Sequence, residues 1–333
     1  MIFQPAIIAL LLAAGISLAM LLIASPFAVQ VIRHWDITSG SERQLKLERL
    51  TYLFSTLVAF VCLIQILAAL LFVFNADKMS VMFVGAMCAV GALNVNDFGF
   101  PALYAQLGLF FLAAMWLALN HADSRARDYP LVKLKYALLL SAIPLFAISL
   151  GLQLQYFLGL KADVITSCCG SLFSADTPTL ASEVSALEPK PALLGFYGTL
   201  ATAIALAGWH WHRRDNISGY AVGLGSIAAF VASVSGILAF VSLYIYEHPH
   251  HHCPFCILKP EYDYQGYWLY LPLFAAAAAG MSAGALRFFA CRPSLAGVVP
   301  ELTGKLAGVA AAGFLAFAVV ASLMIWQSNL ILL

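Results

Sequence analysis

Long apolar runs, broken at short polar intervals, fill the chain from end to end, and each is long enough to cross a hydrocarbon core of about 30 Å, which takes roughly 20 helical residues. The pattern predicts eight such spans, at about 5–32, 50–74, 101–120, 136–160, 192–211, 220–246, 266–286 and 306–329. None carries Asp, Glu, Lys or Arg at its middle, so the spans offer no charged pathway of the kind that ion pumps need. A further apolar stretch, near 81–93, is too short to cross and too apolar for a solvated loop. It is expected to be a re-entrant or interfacial segment, with Gly85 and Gly91 allowing close packing.

Composition agrees with this reading. Hydrophobic residues make up 62% of the 333, charged residues 10%, and the mean hydropathy is +0.90, which excludes an ordinary soluble domain. The expected class is therefore an all-α polytopic membrane protein. With a net charge of only +1 and no basic tract, nothing points to nucleic acid as a partner, and the lipid bilayer is the first one expected.

Basic residues orient the spans. Arg33, Arg43, Lys46, Arg49, Arg125, Arg127, Lys133, Lys135, Arg213, Arg214, Arg287, Arg292 and Lys305 fall in or beside alternate connections, leaving Lys78, Lys161, Lys190 and Lys259 for the other side. Cytoplasmic connections are the basic ones, so both termini are expected outside. The first span has no basic residue before it and Arg33 after it, the flanks of an outward-N anchor rather than of a cleaved leader. The expected setting is a bacterial cytoplasmic membrane. Three modules are expected: 1–135 with three spans and the interfacial segment, 136–290 with four spans, and 291–333 with the last.

This topology places Cys88, Cys168, Cys169, Cys253 and Cys256 on the outward side, where disulfides are permitted. Cys62 falls within the second span, as a small core residue, and Cys291 falls inside. Cys253-Pro-Phe-Cys256 has the spacing of a redox pair, in which one thiol attacks a disulfide and the other resolves it. His248, His250, His251 and His252 precede it directly, and together with Cys253 and Cys256 they could instead hold copper or zinc. A disulfide that only braces the loops is the third reading. Ile257 stands where a c-type haem motif needs histidine, so haem attachment is not expected.

The vicinal Cys168-Cys169 can bond to each other only in a strained ring, so each is expected to find another partner, one pairing with Cys253 or Cys256 and the other with Cys88, either in exchange or as a static clamp on the loops. Tyr244, Tyr246, Tyr262, Tyr264, Tyr267 and Tyr270, with Trp268, gather at the outward ends of the sixth and seventh spans. There they, and Tyr264, Tyr267, Trp268 and Tyr270 above all, could wall a quinone headgroup or simply belong to the interfacial aromatic belt. His210 and His212, flanking Trp211 at the inner end of the fifth span, are expected to be interfacial anchors.

On these residues, 136–290 resembles the four-helix core of the vitamin K epoxide reductase family and, more loosely, bacterial quinone-linked disulfide-forming proteins. The resemblance is topological. It implies that loop cysteines, here Cys168 and Cys169, shuttle electrons between an extracytoplasmic thiol protein or membrane complex and the pair Cys253 and Cys256, which passes them to a quinone. The expected activity is accordingly that of a thiol:disulfide oxidoreductase, with metal handling and a non-catalytic role in a larger complex as the alternatives. Two departures from the family stand in this chain. Its loop cysteines are adjacent, and Lys259-Pro-Glu-Tyr-Asp263 separates the CxxC from the following span.

Overall fold

A computed structural model describes residues 3–161, Thr166, Val184, Leu187 and 189–331. Eight helices among these are long and apolar enough to cross a membrane, as the hydropathy pattern predicts, and the protein is a multi-pass, all-α membrane protein. They are α1 (Pro5–His34), α2 (Glu42–Met79), α4 (Gly99–Arg125), α5 (Val132–Leu158), α6 (Pro189–Arg213), the span Asn216–Tyr246, α9 (Gln265–Arg287) and α10 (Val298–Gln327). Within the span at 216–246, α7 (Asn216–Gly236) widens into a π-helical turn at Ile237–Val241 and closes as α8 (Ser242–Tyr246).

Two helices, α2 and α10, begin about two turns earlier than hydropathy alone places them. In α2 the polar run from Glu42 is already helical, and Gln44, Leu47 and Thr51 are buried at i, i+3 and i+7, so an amphipathic turn carries the span out of the apolar layer. α10 likewise starts at Val298. The segment near 81–93 is not one helix. A 3₁₀ turn at Ser80–Met82 leads through Gly85, at φ +86°, to the five-residue α3 (Ala89–Leu93), whose residues are all buried. Val81, Val84 and Met87 are exposed apolar side chains.

The chain divides into two compact units: Met1–Asn75 with Asn96–Lys161 and Phe289–Val299, and Ala76–Val95 with Ala162–Phe288 and Pro300–Leu333. This division differs from the sequence boundaries at 135 and 290. α5 packs against α1 and α4, and so joins the first unit, while α10 joins the second.

In the first unit Leu21, Phe27, Val58, Val61, Leu109, Trp116, Tyr136 and Phe146 belong to one apolar core, with the Phe27 ring stacked on Phe54 and edge-on to Tyr136. Cys62 lies in this core, the packing role its sequence context predicts. Polar groups near the ends of the helices are satisfied by each other. Lys135 Nζ is 2.8 Å from Asp123 Oδ2 and 3.0 Å from Asn120 Oδ1, and Leu131 N–H donates to Asp123 Oδ1.

The second unit packs α7 between α6 and α9. Gly219 and Gly223 on α7 face Arg287 and Gly284 on α9, and a Cβ added at Gly223 would come within 2.9 Å of the Gly284 Cα. Small residues four apart on both helices thus bring the two backbones together, the usual route to tight packing where lipid supplies no hydrophobic drive. Gly236 makes room in the same way for the Phe196 ring, which packs edge-on to Phe240.

His210 is wholly buried rather than an interfacial anchor, while His212 is exposed. Ser218 Oγ donates to the Asp215 carbonyl, so His210 Nδ1, 2.7 Å away, must be the donor to Ser218 Oγ. Nε2 then accepts from Thr303 Oγ1 and from the Arg287 guanidinium. Four helical segments are thereby tied through one neutral imidazole. The carboxyl of Asp215, which caps α7, is held below the usual carboxylate range by the hydrogen bonds from Ser218.

The Asp123–Lys135 pair yields a stability prediction. Asp123→Ala strands a buried ammonium and should cost about 3–5 kcal/mol, seen as a lower midpoint in denaturant unfolding of the detergent-solubilised protein. A midpoint equal to wild type would show that the pair is not needed.

Candidate thiol site

Two connections of the second unit build the site. The first is 80–95. Gly85 has the left-handed φ that glycine adopts without strain, and a Cβ there would collide with the Thr166 carbonyl. Thr166 N–H donates to the Val84 carbonyl at 3.0 Å, and its hydroxyl donates to the Gly91 carbonyl at 3.1 Å, on either side of Cys88. Cys88 itself is extended, at φ −154°, and precedes α3; the N–H of Ala89, the next residue, donates to the Asp77 carboxylate.

The second connection follows α8. That helix ends with Glu247 left-handed, His248 N–H reaching the Leu243 carbonyl and Glu247 N–H the Tyr244 carbonyl, the double bond of a Schellman motif. Glu247 also accepts from the backbone and side chain of Asn329. Cys253 lies in an irregular stretch, and a turn at Pro254–Phe255 delivers Cys256 to the start of a 3₁₀ turn ending at Leu258. A second 3₁₀ turn, Pro260–Tyr262, and left-handed Asp263 and Tyr264 then redirect the chain into α9. The intervening Lys259–Asp263 segment separates the CxxC from the helix in sequence only, since α9 packs back on the motif, with Gly266 against Ile257 and Leu258 and the Tyr270 hydroxyl on the Pro254 carbonyl.

These connections bring three sulfurs together. Cys88 Sγ is 3.3 Å from Cys253 Sγ, and the sulfurs of Cys88, Cys253 and Cys256 all lie within 4.8 Å of one another. Cys88 and Cys253 are fully buried and Cys256 is 4% exposed. A disulfide needs about 2.05 Å, so the spacing is that of neighbouring thiols one short movement from bonding.

Aromatic hydroxyls fix the backbone of this motif. Tyr246 OH donates to the Cys253 carbonyl at 2.5 Å and Tyr270 OH to the Pro254 carbonyl at 2.7 Å. The Tyr246 hydroxyl lies within electrostatic reach of all three cysteines, and its ring packs on His251 and Tyr262. Among the aromatic residues singled out from sequence, Tyr246 and Tyr270 therefore reach the CxxC, whereas Tyr264 and Trp268 are exposed and Tyr267 packs loosely against Tyr264.

The histidines are placed differently from the sulfurs. His252 Nδ1 donates to the Leu238 carbonyl at 2.8 Å, within the π-helical turn where the regular ladder is interrupted. His248 Nδ1 accepts from the His250 N–H, and both of these residues are exposed. Among the described residues the donor atoms that converge are three thiols, with no histidine in the group. Cys168 and Cys169 lie outside the described residues.

Sequence spacing alone did not single out Cys88 as the direct neighbour of Cys253, nor Tyr246 as its anchor. The signal for Cys88 was its place in an apolar stretch too short to span.

Tyr246→Phe should leave the buried Cys253 carbonyl without its donor and destabilise the site by about 1–3 kcal/mol. Alkylation of Cys253 in the native, reduced protein should then be faster than in wild type. Unchanged rates would remove Tyr246 from this role.

No protein-family model, no curated protein and no solved structure matches this chain.

Proposed function

We propose that the protein is a membrane thiol:disulfide oxidoreductase whose centre is Cys253 and Cys256, with Cys88 as the nearest exchanging thiol. The observation that carries this reading is the convergence of three buried sulfurs from two separate connections. In the reaction, a substrate dithiol gives two electrons and two protons to the Cys253–Cys256 disulfide and leaves as a disulfide. The reduced pair then passes two electrons and two protons to a membrane quinone, which leaves as hydroquinone. In the first step the substrate thiolate attacks Cys253, Cys256 leaves as a thiolate, and the second substrate thiol resolves the mixed disulfide. In the second step Cys253, once it has lost its proton, is the attacking thiolate toward the quinone.

The basic residues of alternate connections support an outward-facing centre in a bacterial cytoplasmic membrane, with both termini on the same side as the thiols. Thr166, two residues before Cys168, is bonded on either side of Cys88, which supports Cys168 and Cys169 as the intermediaries with an extracytoplasmic thiol protein. Tyr267, Trp268 and Tyr270, in the first turns of α9, are the proposed quinone side of the centre, linked to the CxxC by the Tyr270 hydroxyl.

Cys256→Ser removes the resolving thiol, and the variant should accumulate Cys253 in a mixed disulfide with Cys88 or with a partner, identified by mass spectrometry of alkylated, non-reduced membranes. In proteoliposomes, dithiol-dependent quinone reduction should fall to background in Cys253→Ser. Trapping of no species, together with undiminished quinone reduction, would reject the reading.

A further inference from the structure

We propose that the reduced centre also binds one thiophilic metal ion, copper(I) or zinc(II), with Cys88, Cys253 and Cys256 as its ligands. The proposal stands on the sulfur geometry and does not depend on electron transfer to a quinone.

Thiolates held at about 2.3 Å from one ion lie roughly 3.8–4.0 Å from each other, whether the arrangement is tetrahedral or trigonal. The sulfurs here, 3.3 Å apart for Cys88 and Cys253 and none farther than 4.8 Å from another, straddle that spacing. Movements of less than an ångström would close them around an ion. Forming a Cys88–Cys253 disulfide takes a larger shift, to about 2.05 Å.

The ligand set has the composition of a soft-metal site. A CxxC turn supplies two sulfurs and a distant segment the third, and among the described residues no carboxylate or imidazole joins the converging donors. Sulfur-only donors select copper(I) and zinc over magnesium, calcium or manganese. The surrounding hydrogen bonds are of the kind that hold ligands in place. Tyr246 and Tyr270 bond the carbonyls of Cys253 and Pro254, and Asp77 bonds the N–H next to Cys88. Gly266 lets α9 close on the CxxC turn, since a Cβ there would lie 2.8 Å from Leu258 and 2.9 Å from Ile257. Burial keeps water from competing as a ligand. The imidazoles of His248 and His252 each hold a backbone partner through Nδ1, so the histidine run flanks the site without entering it.

Binding displaces the thiol protons, and oxidation of Cys253 and Cys256 to a disulfide removes two of three ligands. The reduced protein should therefore hold the ion and the oxidised protein should release it.

The test titrates full-length protein, purified under anaerobic reducing conditions and stripped with chelator, with copper(I) in one arm and zinc(II) in another, each against a competing chromophoric chelator. One ion per chain is expected in at least one arm, and the arm that retains it identifies the metal. Cys88→Ser should weaken binding by more than ~100-fold, beyond the loss seen when only an outer partner is removed. The same variant should still form the Cys253–Cys256 disulfide with a mild oxidant, which shows that it is folded and separates this proposal from the redox reading. Cys256→Ser should lose the ion equally, and replacing His248, His250 and His251 with Ala should not change binding. Retention in neither arm, equal retention in Cys88→Ser, or loss on replacing the histidines would overturn the proposal. Failure of wild type to form any disulfide would count instead against the oxidoreductase.

Discussion

The bilayer leaves no water for an unpaired polar group, and the polar clusters of this structure answer that constraint. Backbone groups are consumed inside eight helices, and side-chain polarity is gathered where several elements can satisfy one another. In the first unit this produces the Asp123–Lys135–Asn120 cluster. In the second it produces the His210 knot, where a single imidazole accepts from Arg287 and Thr303 and donates to Ser218. The same rule shapes the thiol site. The carbonyls of the irregular CxxC stretch are exposed to no regular ladder, and phenolic hydroxyls from α8 and α9 take that role.

Rigidity at the site comes from turns that few sequences would adopt unaided. Glu247, Asp263 and Tyr264 are non-glycine residues in the left-handed region, each at a cost of the order of 1–3 kcal/mol. Their neighbours fix them: a Schellman pair and Asn329 at Glu247, and backbone bonds to Pro260 and Lys259 at the other two. Strain of this kind persists where surrounding structure overdetermines it, and here it brackets the CxxC on both sides. The π-helical turn at Ile237–Val241 adds a carbonyl that His252 caps, tying the histidine run back to its own span.

Hydropathy made the helices legible because a span requires some 20 apolar residues and cannot hide. It missed the start of α2, since Gln44, Leu47 and Thr51 bury a face of a charged run by periodicity rather than by hydrophobicity. The glycine pairs 219/223 and 280/284 carry no signal in hydropathy, and only packing tells which faces meet. At the site, CxxC chemistry was legible and the third thiol was not: 165 residues separate Cys88 from Cys253, and no local pattern encodes a contact at that distance. The histidines drew notice by density, yet adjacent residues point different ways, and the folded chain spends two of them on backbone bonds.

Cys88 and Cys253 are immediate neighbours in the folded protein, and the whole thiol site turns on that contact. A variant retaining only these two cysteines, with Cys62, Cys168, Cys169, Cys256 and Cys291 replaced by Ser, can be treated in native membranes with dibromobimane, which becomes fluorescent only when both of its arms have alkylated thiols. The structure requires a fluorescent chain in which the peptides bearing Cys88 and Cys253 are joined. Alkylation of each cysteine singly, with no bridged peptide, would contradict it.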